Sequence, residues 1–306
     1  MRLIIGTRGS QLALRQAELV QRALQTFRPT ITIELLVIRT QGDDRLDLRL
    51  TDSGKKFVKG LFTKELEEAL LNGTISLAVH SLKDLPDARP PGLKVAAMLP
   101  RADPRDVVVL RTATSFSDLP DGALLATSSP RRVCQLRRKR PDIRTEEIRG
   151  NVPTRLRKLA ERPELAGIIL ARAGLDRLGL LETTGKLHLE EWIFAVEPLD
   201  WMIPAAGQGA IAIEILEEND ELDRLLQSVN DQPTWRAVTV ERELLRRLGG
   251  GCEIPIAVGC NLVGEELFAR AIVFDADGRA RTATWNGLYS SSTEGINELW
   301  KQLNER

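Results

Sequence analysis

Short apolar runs alternate along this chain with segments in which apolar residues recur every three or four positions. Leu3–Ile5, Ile31–Ile38, Ile75–Val79, Val107–Leu110, Leu124–Ala126 and Gly167–Leu170 are of the first kind and read as strands. Gln11–Gln25, Thr63–Leu71, Pro130–Arg140 and Pro153–Glu161 are of the second kind and read as helices. Strands separated by helices pair mostly in parallel, so the first two-thirds of the chain predicts an α/β architecture. The remainder reads differently. A helix is expected over Thr234–Leu248, then the Gly249-Gly250-Gly251 break. Short strands follow between Cys260 and Tyr289, with turns at Val263-Gly264 and Asp277-Gly278, and a last helix over about Glu294–Leu303. That is a small α+β domain. Proline punctuation at Pro100–Pro104, Pro198 and Pro233 marks borders.

Length and composition bound the class. The 306 residues allow two or three domains, and 42% hydrophobic with 28% charged residues is a soluble globular balance. No apolar run approaches the roughly 20 residues that cross a bilayer. Met1–Gly6 lacks the apolar stretch and small-residue cleavage site of a signal peptide, so a cytoplasmic protein is expected. Lys plus Arg and Asp plus Glu are 43 each, which opposes a general nucleic-acid or membrane-surface binder. The cations are skewed to 33 Arg against 10 Lys, and Arg forks onto carboxylate and phosphate. Only His80 and His188 occur, which nearly excludes a multi-His metal site and leaves few ways to build a Ser-His-Asp triad. Three Cys, at 134, 252 and 260, form no CxxC, so a disulfide framework is not expected.

Five junctions carry candidate chemistry. Gly6-Thr7-Arg8-Gly9-Ser10 passes from strand to helix, with Ser10 placed to cap the helix and Arg8 to meet an anion. Lys55, Lys56 and Lys59 precede Gly60-Leu61-Phe62 as a cationic loop. Val79–Pro86 ends a buried strand in Ser81, Lys83 and Asp84, where α/β proteins bind ligands. Thr127-Ser128-Ser129-Pro130-Arg131-Arg132 puts three hydroxyls and two Arg at a helix start, and Arg149–Arg155 repeats the theme. From Ser128 to Lys158 there are 11 basic and 3 acidic residues and no aromatic, which suits small polyanions better than stacked bases. Gly249–Gly251 presents Cys252 on a turn, while Cys134 and Cys260 fall in helix and strand patterns and read as inert. Singly, each has an ordinary reading as a capped turn, an exposed loop or a surface ion pair. Together they describe a ligand with several carboxylates or phosphates, one acid and one loop-borne thiol.

These segments resemble the porphobilinogen deaminase (hydroxymethylbilane synthase) family. The likeness lies in IGTRGSQLALRQAE from residue 5, GLFTKELEEALL from 60, AVHSLKDLP from 78 and DPRD from 103. It continues in TSSPRRVCQLRRKRPD from 127, IRGNVPTRLRKL from 148, ILARAGLDRLGL from 169, PAAGQGAIAIE from 204 and GGGCEIPIA from 249. The resemblance implies a transferase that condenses four porphobilinogen molecules head to tail, releasing ammonia and giving the linear tetrapyrrole 1-hydroxymethylbilane. It implies a dipyrromethane cofactor joined by a thioether to Cys252, and Asp84 as the catalytic carboxylate. Binding positions carried over are Arg8, Ser10, Lys55, Lys59, Phe62, Ser81, Lys83, Thr127, Ser128, Ser129, Arg131, Arg132, Arg149, Gly150, Asn151, Arg155, Arg177 and Gln208. No metal, nucleic acid or membrane partner is implied, and a monomer is.

The implied fold is α/β, with two doubly wound periplasmic-binding-protein-like domains and a small α+β C-terminal domain. Residues 1–99 with 200–223 would form the first, 100–199 the second and 228–306 the third. Each pyrrole brings two carboxylates, which accounts for the dispersed cations, and a fixed carboxylate would stabilise the cation left when ammonia departs. Two departures stand out: Gly54–Gly60 is more hydrophobic than the family's usual Gly-rich lysine loop, and Arg172 stands where a small or apolar residue is usual. A non-catalytic polyanion binder needs neither Cys252 nor Asp84, and a nucleic-acid binder using residues 128–158 is opposed by the neutral net charge.

Overall fold

A computed structural model describes residues 1–40, 63–182, 185–250 and 255–304. The chain divides into two compact units, Met1–Arg101 with Ala210–Trp235, and Ala102–Gly209 with Arg236–Arg306.

The first unit is built on a five-stranded sheet. Its strands are β1 (Arg2–Thr7), β2 (Thr32–Val37), β3 (Leu77–Ser81), β4 (Leu93–Met98) and β11 (Ile211–Leu216), in the order β2-β1-β3-β11-β4. β1 runs parallel to β2 and β3, and β11 runs antiparallel to β3 and β4. Helix α1 (Gln11–Phe27) buries Gln16, Ala17, Val20 and Leu24, a stripe at helical spacing, and it packs on Leu3, Ile5, Leu77, Val79 and Ile213. Helix α2 (Lys64–Leu71) buries Leu66 and Leu70 against Ile75 and Leu93, and helix α6 (Asp220–Gln227) adds Leu222, Leu225 and Leu226 to the core under α1.

The second unit holds a six-stranded sheet of β5 (Asp106–Leu110), β6 (Leu124–Ala126), β7 (Arg144–Glu146), β8 (Gly167–Ala171), β9 (Lys186–Leu189) and β10 (Trp192–Pro198). Their order is β7-β6-β8-β5-β10-β9, with β6 parallel to β7 and β8, and β5 antiparallel to β8 and β10. Both sheets thus place two parallel neighbours around a central strand and then insert one antiparallel strand. Helices α3 (Pro130–Lys139), α4 (Val152–Glu161) and α5 (Arg172–Arg177) follow β6, β7 and β8. A third, antiparallel sheet of β12 (Ile256–Val263), β13 (Glu266–Phe274) and β14 (Ala280–Leu288) packs on α7 (Gln232–Arg247) and α8 (Ser292–Asn304). Ala237, Val240, Leu244, Ile296 and Leu299 close that core on Val258, Ala269 and Ala271.

The α/β class with a small α+β end is the one expected. Each strand and helix given bounds in the first two-thirds is present, as are the two later helices, with ends shifted by at most two residues, while the first tail strand starts four residues before Cys260. The tail strands are eight or nine residues long rather than short. Residues 200–209 stay with the second unit, where Ile203 and Gln208 are hydrogen-bonded, and the chain joins the first unit only from Ala210. The third sheet belongs to the same compact unit as the six-stranded one.

Candidate functional site

Parallel pairing decides where the polar junctions go, because loops that leave neighbouring parallel strands emerge at one sheet edge. In the first unit, Arg8 and Ser10 follow β1, and Ser81, Lys83 and Asp84 close or follow β3, its parallel neighbour. Ser10 caps α1, its hydroxyl accepting from the Ala13 amide at 3.2 Å. Gln16 Nε2 donates to Ser81 Oγ at 2.8 Å, tying α1 to the end of β3. The chain then turns through a short 3-10 helix, Leu82–Asp84. Leu82 and Leu85 are buried on either side, and the Leu82 amide donates to the Ala210 carbonyl at 3.1 Å. The turn is pinned from below while Asp84 is held out to solvent and Lys83 is half-buried.

In the second unit, residues 127–132, 149–155 and 172–177 follow three parallel strands, and the antiparallel β5 brings its first residue, Asp106, to the same edge. Ser128 joins two of these loops: its Oγ donates to the Ile148 carbonyl at 2.6 Å and accepts from the Ile148 amide at 3.1 Å. Thr127 Oγ1 is buried and accepts from the Ser129 amide at 3.3 Å. Ser129 stands at the N-cap of α3 before Pro130, yet its side chain makes no capping bond. Asn151 does cap α4, accepting from the Thr154 amide at 3.0 Å. Gly150 sits at φ 111°, where a Cβ would meet Thr154 Cγ2 at 2.8 Å, so the turn that aims Arg149 and Arg155 needs glycine. Arg155 Nε donates to the Gly150 carbonyl at 2.6 Å, and Arg149 Nη2 reaches Glu147 Oε2 at 3.2 Å.

Arg131 and Arg132 lie deeper than a pair of exposed forks. Both are buried against the fully buried Asp106. Arg131 Nη1 donates to Asp106 Oδ2 at 2.7 Å and to the Ile203 carbonyl at 2.6 Å. Arg132 Nη1 donates to the Ile169 carbonyl at 2.7 Å. Gln208 Nε2 donates to Asp106 Oδ1 at 3.1 Å and to the Pro104 carbonyl at 2.7 Å. Burial alone would raise the Asp106 carboxyl, but the two Arg charges outweigh it and hold it well below the usual carboxylate range. Arg177 Nη2 donates to the Gly209 carbonyl at 2.5 Å, and burial pushes its guanidinium down to about 10 against the pull of Asp176.

Asp106 is the buried acid to which pattern reading gave no role, although it closes the DPRD segment. Its signal was an acid opening the wholly apolar run Val107–Leu110, a place that demands cationic partners. Arg172, the departure in sequence, lies 3.4 Å from both Asp103 and Asp176. His80 is a core residue, 3.1 Å from the buried Glu214 on the neighbouring strand. Cys260 is buried as expected. Cys134 is only half-buried, though burial still raises its thiol. Lys55, Lys59, Phe62 and Cys252 lie outside the described residues. No group of three or more His, Cys, Asp or Glu side chains suited to a metal occurs among the described residues, and none of their helices is long and apolar enough to cross a membrane.

Comparison with known proteins gives a consistent set of likenesses. Residues 3–224 match the family model described as porphobilinogen deaminase, dipyromethane cofactor binding domain, and residues 235–303 match that of the porphobilinogen deaminase C-terminal domain. The porphobilinogen deaminase of Syntrophomonas wolfei is 46% identical over 301 residues, covering 98% of this chain and 93% of that one. That of Roseiflexus sp. is 47% identical over 277 residues, covering 90% of this chain and 87% of the other. Among solved structures, the methionine binding protein MetQ is similar at 13% identity and TM-score 0.44, covering 76% of this chain and 92% of that one.

Proposed function

The chain belongs to the porphobilinogen deaminase family, and we propose that Asp84 and the cations of the two sheet edges divide that family's reaction between them. The reaction joins porphobilinogen units head to tail with loss of ammonia. The observation that carries the assignment is Asp84 itself, a solvent-facing carboxylate on a turn whose flanking Leu82 and Leu85 are buried. A carboxylate held in place stabilises a developing cation without reorganising as charge appears. Asp84 therefore faces the carbon from which the amine leaves and balances its positive charge. It also accepts a hydrogen bond from the pyrrole N–H.

The substrate and growing chain carry acetate and propionate groups. Arg8 and Lys83 in the first unit, and Arg149, Arg155 and Arg177 in the second, bind those carboxylates. The starts of α3 and α4 supply backbone donors beside those of the second unit. Arg131 and Arg132 act from below, their five N–H donors apiece being shared between Asp106, backbone carbonyls and ligand. Ser81, Thr127, Ser128, Asn151 and Gln208 hold these loops in register.

A dipyrromethane brings four carboxylates of its own. The donor set of the second unit is rich enough in Arg and helix-terminal N–H groups to fit it. Cys252 would hold the group by a thioether, and Lys55, Lys59 and Phe62 are the further binding positions this reading includes. When bound, it supplies the terminal pyrrole to which the chain is added. The reading includes a monomer working in the cytoplasm.

The test is the intact mass of freshly purified full-length protein, followed by peptide mapping of Cys252. Added mass of two linked pyrroles on that thiol, absent in Cys252→Ser, is the expected result. An unmodified Cys252 in protein that turns over porphobilinogen would overturn the attachment. Absence of both the mass and turnover, even after incubation with porphobilinogen, would overturn the function.

A further inference from the structure

The loop 203–209 of the second unit is bound at its ends and in its middle. The Ile203 carbonyl accepts from Arg131 Nη1 at 2.6 Å and Gln135 Nε2 at 3.0 Å, and its amide donates to Gln135 Oε1 at 2.8 Å. The Gly209 carbonyl accepts from Arg177 and from the Ala102 amide at 3.1 Å. Between them, Gln208 reaches Asp106, and the Gly207 amide donates to Glu241 Oε2 at 2.7 Å. Arg131, Arg132 and the half-buried Arg177 are therefore held directly or at one remove by this loop.

Glu241 projects from α7 and is fully buried. Its second oxygen, Oε1, accepts from the Cys260 amide of β12 at 2.7 Å. One carboxylate thus takes a backbone N–H from the loop and another from the strand that follows the Cys252 segment. Loop and strand also meet at Gly259, where a Cβ would stand 3.0 Å from Pro204 Cδ and Cγ. A carboxylate suits this place because both its oxygens accept. An amide of the same shape would turn an NH2 group toward one of the two N–H donors.

We propose that Glu241 is a positioning residue for chain elongation. It sets the Arg131, Arg132 and Arg177 cluster in fixed register with the strand leading out of the cofactor-bearing segment. This rests on the function proposed above. Glu241 touches no substrate in this scheme. It acts by keeping β12, the strand that follows the Cys252 segment in the chain, in one position relative to the cations that receive the acid groups of a growing polycarboxylate. A sub-ångström drift there misplaces every later carboxylate, and such misplacement costs rate more than it costs fold.

Glu241→Gln, made in the full chain and purified with its adduct, tests this. Amide hydrogen exchange should quicken about tenfold at whichever of Gly207 and Cys260 meets the new NH2 group, while β8 is unchanged, since the charge-assisted bond is lost there. The adduct mass on Cys252 should persist. With porphobilinogen, the ladder of bound intermediates should pile up at its early members, and KM should rise by about fivefold or more. Glu241→Asp, which keeps the charge on a shorter stem, should recover part of the ladder; if Glu241→Gln does not fold, Glu241→Asp is measured in its place against the parent. Faster exchange with a parent-like ladder and KM would reduce Glu241 to a stabilising residue and overturn the proposal. Unchanged exchange would overturn it too. Failure of the underlying function shows separately, as a parent protein without the Cys252 adduct.

Discussion

Asp106 Oδ1 accepts from Arg132 through two nitrogens at once, Nε at 3.0 Å and Nη2 at 2.7 Å. The guanidinium is fixed in plane as well as in place. With Arg131 on the other carboxylate oxygen, a single buried acid orients two cations. Asp106→Asn keeps the shape and removes the charge. Two buried guanidinium groups then lose their counter-ion, which should cost about 3–5 kcal/mol of stability. Urea unfolding read by circular dichroism measures it, and a loss below about 1 kcal/mol would contradict the geometry.

The same acid ties stability to pH. Its carboxyl titrates below the ordinary value of 3.8 in the folded chain. A group lowered on folding contributes stability above its unfolded pKa, and that contribution drains away as the pH falls below it. Between pH 7 and pH 3 the wild-type chain should therefore lose more stability than Asp106→Asn does. Paired urea titrations at the two pH values report the difference, and equal losses would remove Asp106 from the account.

Asp84→Ala should leave the fold and the Cys252 adduct intact while turnover falls by about two to three orders of magnitude, the scale of losing one preorganised electrostatic contact. The side chain is exposed, so its removal leaves no cavity. Stopped-time product assays beside a thermal melt make the comparison. Full activity in a folded variant ends the catalytic assignment.

Arg149→Ala and Arg155→Ala should each stall elongation, with stability falling by only about 1 kcal/mol, since both side chains are half-buried rather than in the core. The Arg155 bond to the Gly150 carbonyl makes it the more disruptive of the two. Mass spectra taken during turnover should show partly elongated species accumulating. Normal product yield from both variants would take them out of the site.

Gly150→Ala should destabilise by about 1–3 kcal/mol, because a side chain is forced into positive φ and against Thr154. Adding Thr154→Ser deletes the clashing Cγ2 and should restore part of the loss, leaving the backbone share. Differential scanning calorimetry of the single and double variants separates the two. An unaffected melting temperature in the single variant would show that the turn tolerates a Cβ.

Apolar pattern made most of the framework legible, since strands such as Val107–Leu110 and Gly167–Leu170 are buried on both faces. It did not name β4, β9, β10 or β11, and it was silent on β7, whose residues Arg144-Thr145-Glu146 form a polar edge strand held by pairing to β6 and by Arg162 on Glu146. Ser10 and Asn151 were readable as helix starts because capping is local chemistry. The burial of Arg131 and Arg132 was not, because their partner Asp106 lies 25 and 26 residues away. Glu241 looked like one acid among many on a charged helix, and only the meeting of Gly207 and Cys260 gives it a role. The sequence motifs show which side chains gather at a sheet edge. Long-range pairing shows which of them face ligand and which hold the others.

The strand β11 stands between β3 and β4, yet it is made more than a hundred residues after β4. An emerging chain therefore presents β1 to β4 with the member between β3 and β4 missing and two inner edges bare. At roughly 5–20 residues per second the gap stays open for on the order of ten seconds. The N-terminal part of this protein cannot be finished first on the ribosome, although nearly all of it is made first. A nonsense codon anywhere before residue 211 would release a fragment with an unsealed sheet, a ready substrate for chaperones, proteases or aggregation.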